Sequence, residues 1–325
     1  MQPSSPRGAA ALMFMMLVVA CSHVLAQPWP NRPIRMVVAV APGGSTDVIA
    51  RIVGTRLGER VGQPVVVDNR PGGSSVIGVE MVVRSLPDGH TLLMGAGSLG
   101  TLNAMMPKAP VNVQKDLAAV AMVGMSPYVL VVQPALPVKS VSDLIAHARA
   151  NPGKLNFAGS TPGSLQRLAG EHLNRMAGID LLYVPYKGTG QVVPDLLAGR
   201  LHAAFDNVLI LAPYVRSGAL RALAVTGAGR SAVMPELPTI AEAGVPGFQA
   251  AGWFGVFAPT ATPQPAVMRL NGEINALMNE PAIRERLVGQ GMDPLAGPPD
   301  VLARHLAREI DTWGRLVREA GLVAQ

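Results

Sequence analysis

The sequence predicts an α/β chain of two domains, and three observations point there. Short apolar, β-branched runs alternate with stretches of helical periodicity. A unit of strand, glycine–hydroxyl turn and helix occurs twice, once in each half of the chain. Beyond residue 26 about 300 residues remain, enough for two domains of ordinary size.

The first unit organises the rest. Residues 34–40, Ile34-Arg35-Met36-Val37-Val38-Ala39-Val40, read as a strand buried on both faces. The turn Pro42-Gly43-Gly44-Ser45-Thr46-Asp47 follows, and then Ile49, Ile52, Val53 and Leu57 recur at helical spacing. Ser45 is the expected N-cap, and Asp47 in the first turn complements the helix dipole. Glycines that bare backbone amides, beside a helix N-terminus, make a seat for an anion such as a carboxylate. The alternative is a tight βα connection that holds no ligand.

The remaining elements follow in order. Residues 64–68 give a second strand and 74–85 a helix. Residues 91–94 give a third strand that opens into a loop holding Ser98 and Thr101. Strands alternating with helices imply a parallel sheet, whose ligands bind at the strands' carboxyl ends. Gly95, Gly97 and Gly100 spell GxGxxG, but Pro107 and Pro110 cut the next helix short and no acidic residue ends a following strand. The motif therefore reads as a decoy rather than a dinucleotide site. Residues 128–132 form a strand and 140–150 a helix. Residues 155–158 lead into Gly159-Ser160-Thr161-Pro162-Gly163-Ser164, the second glycine–hydroxyl turn. Ser164 caps a helix carrying Leu165, Leu168, Ala169, Leu173 and Met176 on one face, and Gly178 ends it. Strands are expected at 181–186, 203–207 and 220–225, with a helix at 192–198. A strand at 250–258 returns to the first half, and helices at 265–278, 281–289 and 299–320 complete the chain.

Composition narrows the function classes. Residues 1–26 carry a single charge, Arg7, ahead of an apolar core at 9–20, and read as a secretory signal cut after Ala26. A competing reading takes Val18-Val19-Ala20-Cys21 as a lipoprotein processing box. Cys21 is the only cysteine, so cleavage after Ala26 leaves no disulfide and no thiol chemistry. Without Arg7 the 27 basic residues become 26, five more than the 21 acidic ones. The bases are scattered and aromatics make up only 4%, which argues against nucleic-acid binding. His90, His147, His172, His202 and His305 show no zinc-ligand spacing, so neither metal nor cofactor is expected.

Read together, the motifs carry a resemblance over nearly the whole processed chain. They are Trp29-Pro30-Asn31-Arg32-Pro33-Ile34-Arg35, the turn at 42–47 with Ala50-Arg51, Asn69-Arg70-Pro71-Gly72-Gly73 and Pro87-Asp88-Gly89-His90-Thr91-Leu92-Leu93. Further along stand Ser164 with Leu168-Ala169-Gly170-Glu171, Val184-Pro185-Tyr186-Lys187-Gly188, Asp195-Leu196-Leu197-Ala198-Gly199, and Pro235-Glu236-Leu237-Pro238-Thr239 with Gly244. The chain resembles the substrate-binding proteins of tripartite tricarboxylate transporters, the Bug family of extracytoplasmic solute receptors. The resemblance implies a two-lobed, type II-like periplasmic-binding-protein fold: two parallel or mixed sheets flanked by helices, with a hinge of crossing strands. Lobe one is then 27–127 with 252–325, and lobe two 128–251. It also implies a monomeric periplasmic receptor that takes a small carboxylate through the two glycine–hydroxyl loops and hands it to membrane transporter subunits.

The expected ligand-binding residues are Pro42, Gly43, Gly44, Ser45, Thr46 and Asp47 from the first turn. Ser160, Thr161, Gly163 and Ser164 come from the second turn, Ser98 and Thr101 from the loop after the third strand, and Asp206 from a strand end. Asp206 and Asn207 can orient a ligand hydroxyl, amine or water; equally, a buried carboxylate there can be paired structurally. Two departures from the family pattern stand out: Arg167 where His is usual, and Ala104 after Asn103. Arg167 in the cleft would favour a second ligand carboxylate; otherwise it is a solvated helix residue. Two rivals to a transport receptor are a secreted serine hydrolase, although no serine lies in GxSxG, and a sensory receptor feeding a membrane kinase.

Overall fold

The computed structural model describes residues 29–289 and 291–322. The expected signal sequence, Met1–Ala26, and the alternative processing site at Cys21 lie outside the described residues.

Three βα units come first. Strands β1 (Ile34–Val38), β2 (Val65–Asn69) and β3 (Thr91–Ala96) pair in parallel with β1 in the middle. Helices α1 (Ser45–Val61), α2 (Val76–Val83) and α3 (Ser98–Met105) follow them. Ser98 was expected in a loop; instead it is the first residue of α3, which stops before Pro107. After the turn α4 (Val113–Asp116) comes β4 (Leu117–Val132), a 16-residue strand of which the sequence betrays only the last third. In its first part Val120 and Val123 stand scattered among Ala118, Ala119, Ala121 and Gly124, with two register irregularities, so no continuous branched run marks a strand. Gly124 is required there, because a Cβ would stand 2.6 Å from the Asp293 carbonyl oxygen.

Strand β4 joins two sheet regions. From Leu117 to Pro127 it runs antiparallel to β9 (Ala251–Pro259), which pairs on its other side with β3. From Tyr128 onward it pairs with β7 (Ala203–Asn207) and β8 (Arg221–Val225). Strand β5 (Asn156–Ala158) then lies parallel between β7 and β6 (Leu182–Val184), and the short β10 (Asp293–Pro294) pairs with β4. Pro127 marks the change of partners, as befits a residue with no amide to give a ladder.

Helices α5 (Val141–Ala150), α6 (Leu165–Ala177), α7 (Thr189–Leu197) and α8 (Val208–Arg216) cover the second region. Helices α9 (Gln264–Asn279), α10 (Pro281–Val288) and α11 (Pro299–Glu319) return to the first, with α11 packed along α3 and β4. Helix α8 escapes the sequence reading because it starts directly after Asn207 with no turn residue between. One buried cluster, from Val37 through Leu130 and Phe157 to Val317, runs beneath both regions.

Candidate binding site

A cavity lies where the two sheet regions meet, at the carboxyl ends of their strands. Five helices begin on it. Gly44, Ser45 and Thr46 bring the start of α1, Gly97 and Ser98 that of α3, and Ser164 with Gln166 that of α6. Thr189 opens α7, and Asn207 is the residue from which α8 starts. Each N-terminus presents unpaired amides and a partial positive charge. Ser160 and Thr161 add hydroxyls, while Tyr128, Trp253 and Phe254 supply an apolar wall; no lining residue is charged.

The cavity is shut. Ser45, Thr46, Ser160, Thr161 and Ser164 are all less than a tenth exposed, and about 30 Å³ is left open, room for one or two water-sized groups. Contacts between the two regions hold it closed. Ser45 Oγ donates to Asn207 Oδ1 at 2.7 Å, the Thr101 hydroxyl donates to the Gly163 carbonyl, and the Ala41 amide reaches the Lys187 carbonyl at 3.4 Å. The two sides approach closely: a Cβ on Gly190 would lie 2.7 Å from the Pro42 carbonyl oxygen, and one on Gly97 only 2.3 Å from the Leu165 side chain at Cδ1.

Comparison with known proteins agrees with this geometry. The profile of the tripartite tricarboxylate transporter family receptor, TctC, matches residues 49–322. The chain belongs to this receptor family. It is similar to Protein BugT of Bordetella pertussis, with 40% identity over 95% of each chain. Among solved structures, R. palustris Rpa4515 with adipate is 38% identical with a TM-score of 0.87, over 90% of this chain and 98% of that one. MatC from Rhodopseudomonas palustris, with bound malate, is 32% identical with a TM-score of 0.85, covering 89% of this chain and all of its own, 100%.

Within this receptor the expected residues fall into two groups. Gly44, Ser45, Thr46, Ser98, Ser160, Thr161 and Ser164 line the cavity; Pro42, Gly43, Asp47, Thr101, Gly163 and Asp206 do not. Ser45 is not the N-cap of α1. Gly44 holds that position and the Ser45 hydroxyl is spent on Asn207 across the cavity. Asp47 folds back on its own turn, accepting from the Gly43 amide at 3.0 Å and pairing with Arg51. Burial raises the Asp47 pKa, but these hydrogen bonds outweigh it and hold the carboxyl below its usual range. Ser164 does cap α6, accepting from the Arg167 amide at 3.2 Å. Thr161 Oγ1 is buried with no partner, a hydroxyl left over for something in the cavity.

Arg167 takes neither of the roles considered for it. Its guanidinium lies 4.5 Å from the Tyr183 ring centroid, donates to the Pro162 carbonyl at 3.1 Å and pairs with Glu171. It braces the second glycine–hydroxyl turn from behind. Tyr186 is likewise engaged, donating to Asp195 at 2.6 Å.

Asp206 sits one layer behind the lining. Its Oδ1 accepts from the Asn207 amide at 2.7 Å and from Gln166 Nε2 at 3.4 Å, while Oδ2 is buried without a partner. Burial, partly offset by Thr189, Asn207 and Gln166, pushes its pKa up to about 6. A folded-state pKa above the unfolded one means that stability is present at low pH and is lost as pH rises from about 4 to about 6. Wild type is therefore expected to lose up to about 3 kcal/mol relative to Asp206→Asn across that window, read by urea unfolding of both proteins at each pH.

Sequence reasoning missed Gln166, Thr189, Tyr128, Trp253 and Phe254 as lining residues. The helix that brings Gln166 was visible, but the one expected at 192–198 begins at Thr189, and that α6 and α7 both begin on the same point was not legible.

Proposed function

We propose that this receptor captures a small carboxylate between two lobes and closes over it. The observation that carries the reading is the meeting of five helix N-termini on one cavity without a charged side chain. Such a site neutralises an anion with fixed dipoles and amide hydrogens, and offers nothing comparable to a cation. The adipate and malate held by Rpa4515 and MatC support the carboxylate class for this chain.

Lobe one comprises residues 27–127 and 252–325 and lobe two 128–251, with the hinge in β4 and β9 where β4 exchanges partners. The buried hydroxyls are unreachable in the closed form, and the roughly 30 Å³ between them is too small for a diacid. Ligand therefore enters an open form, and the lobes close on it to a wider arrangement, favoured by the ligand's greater affinity for it. The receptor acts in the periplasm as a monomer without catalysis, and delivers its ligand to tripartite transporter subunits in the membrane.

Thermal unfolding against a panel of mono- and dicarboxylic acids and their amides tests this reading. Protein first unfolded and refolded, to strip carried ligand, should be stabilised by at least one acid. At ~100 times its dissociation constant the gain is roughly 2.7 kcal/mol. Stabilisation by amides and acids alike would refute the anion site.

A further inference from the structure

Behind Trp253, on the side away from the cavity, a half-buried carboxyl joins strand β9 to helix α11. Glu309 Oε2 on α11 accepts both the Trp253 indole N–H from β9 and the Trp313 indole N–H from its own helix, each at 3.0 Å. Trp253 lines the cavity and is fully buried. Helix α3 leaves room for this carboxyl's stem, since a Cβ on Gly100 would stand 2.8 Å from Glu309 Cβ. Trp313 in turn meets His172 on α6 edge to face, with ring centroids 6.4 Å apart, and nearly two turns further along α11 Glu319 pairs with Arg175 of α6 at 3.0 Å. Glu309 therefore connects the cavity wall to a contact that crosses from the first sheet region to the helices of the second.

We propose that Glu309 is a positioning residue for the ligand cavity: its charge state sets how firmly Trp253 and Trp313 are held, and so the shape of the cavity wall. A charged acceptor holds an N–H roughly twice as strongly as a neutral one. Burial, against the pull of both indoles and Arg308, moves the carboxyl's pKa up to about 7, where its charge changes at neutral pH. The other titratable groups facing this cluster do not switch there. His305, packed on Trp253, is pushed down to about 4 by burial and Arg308, His172 is also lowered by burial, and buried Tyr128 is raised far above 10. Helix α3 and strand β9 contribute no titratable side chain. The bearing on ligand rests on the carboxylate reading above.

The test separates the two. Tryptophan emission of the ligand-free protein, followed from pH 5.5 to 8.5, should show a transition near pH 7 in wild type and none in Glu309→Gln, whose fold is checked by circular dichroism. Trp313→Phe removes one donor and should move the transition to higher pH. Adipate, used as the probe, should bind wild type at least about threefold more tightly at pH 8.5 than at 6.5, and Glu309→Gln weakly with a clearly smaller difference, the remainder belonging to Asp206 behind the lining. An unchanged emission transition in Glu309→Gln overturns the proposal, as does an equal pH dependence of adipate affinity in both proteins. If no form binds adipate at any pH, the carboxylate reading loses its support while the emission arm still decides the role of Glu309.

Discussion

Gly97→Val should weaken carboxylate binding by roughly 10- to 100-fold while leaving the melting temperature of the ligand-free protein nearly unchanged. Gly97 lies at the end of β3 with an ordinary helical φ, so its backbone accepts any residue. What it lacks is room. A Cβ there would stand 2.3 Å from Leu165 Cδ1 and 2.6 Å from its Cγ, on the first residue of α6 across the cavity. Overpacking of this kind costs about 1–3 kcal/mol, and the cost falls on the closed arrangement alone. The whole penalty therefore appears as lost affinity, tenfold for every ~1.4 kcal/mol. Calorimetric titration with the acid that stabilises wild type checks the first half and thermal unfolding the second. Leu165→Ala in the same chain should restore much of the affinity by clearing the space.

Gly170→Ala is expected to act on stability instead. Gly170 faces Phe157 in mid α6, and a Cβ would fall 2.0 Å from the ring. Phe157 cannot step aside, being fully buried and packed against Tyr183 and Phe205 with ring centroids 5.6 and 6.1 Å away. Alanine normally favours a helix by close to 1 kcal/mol over glycine, but overpacking at this depth reverses the sign by about 1–3 kcal/mol or more. Differential scanning calorimetry should show a melting temperature lower by roughly 2–5 °C. An unchanged or raised value would mean that α6 can slide away from β5.

Much of the fold was legible because its signals are local. The turns at 42–47 and 159–164 announce themselves through glycine, hydroxyl and the apolar period that follows. Each glycine of the GxGxxG at Gly95, Gly97 and Gly100 has a reason in packing: Phe257, Leu165 and Glu309 occupy the space where their side chains would go. What could not be read were facts of tertiary approach. Ser45 has every local mark of a cap, yet its hydroxyl is claimed by Asn207, 162 positions away. Asp47 stands in the turn but points back along it. Arg167 chose a tyrosine ring over both cleft and solvent because Tyr183 lies on the neighbouring strand, which no spacing in the sequence reveals. The first part of β4 was hidden because Val120 and Val123 are interrupted by small residues, and the reason for one of them, Gly124, is the approach of Asp293 on β10.

In the proposed function an anion is held by helix N-termini between two closing lobes. The most direct test is calorimetric titration of the refolded protein with a small diacid such as adipate and, side by side, with the corresponding diamide. The two molecules are closely matched in shape, and the diamide carries no negative charge. Saturable binding of the diacid with none of the diamide is the predicted result. Equal binding of both, or binding of the diamide alone, would contradict it.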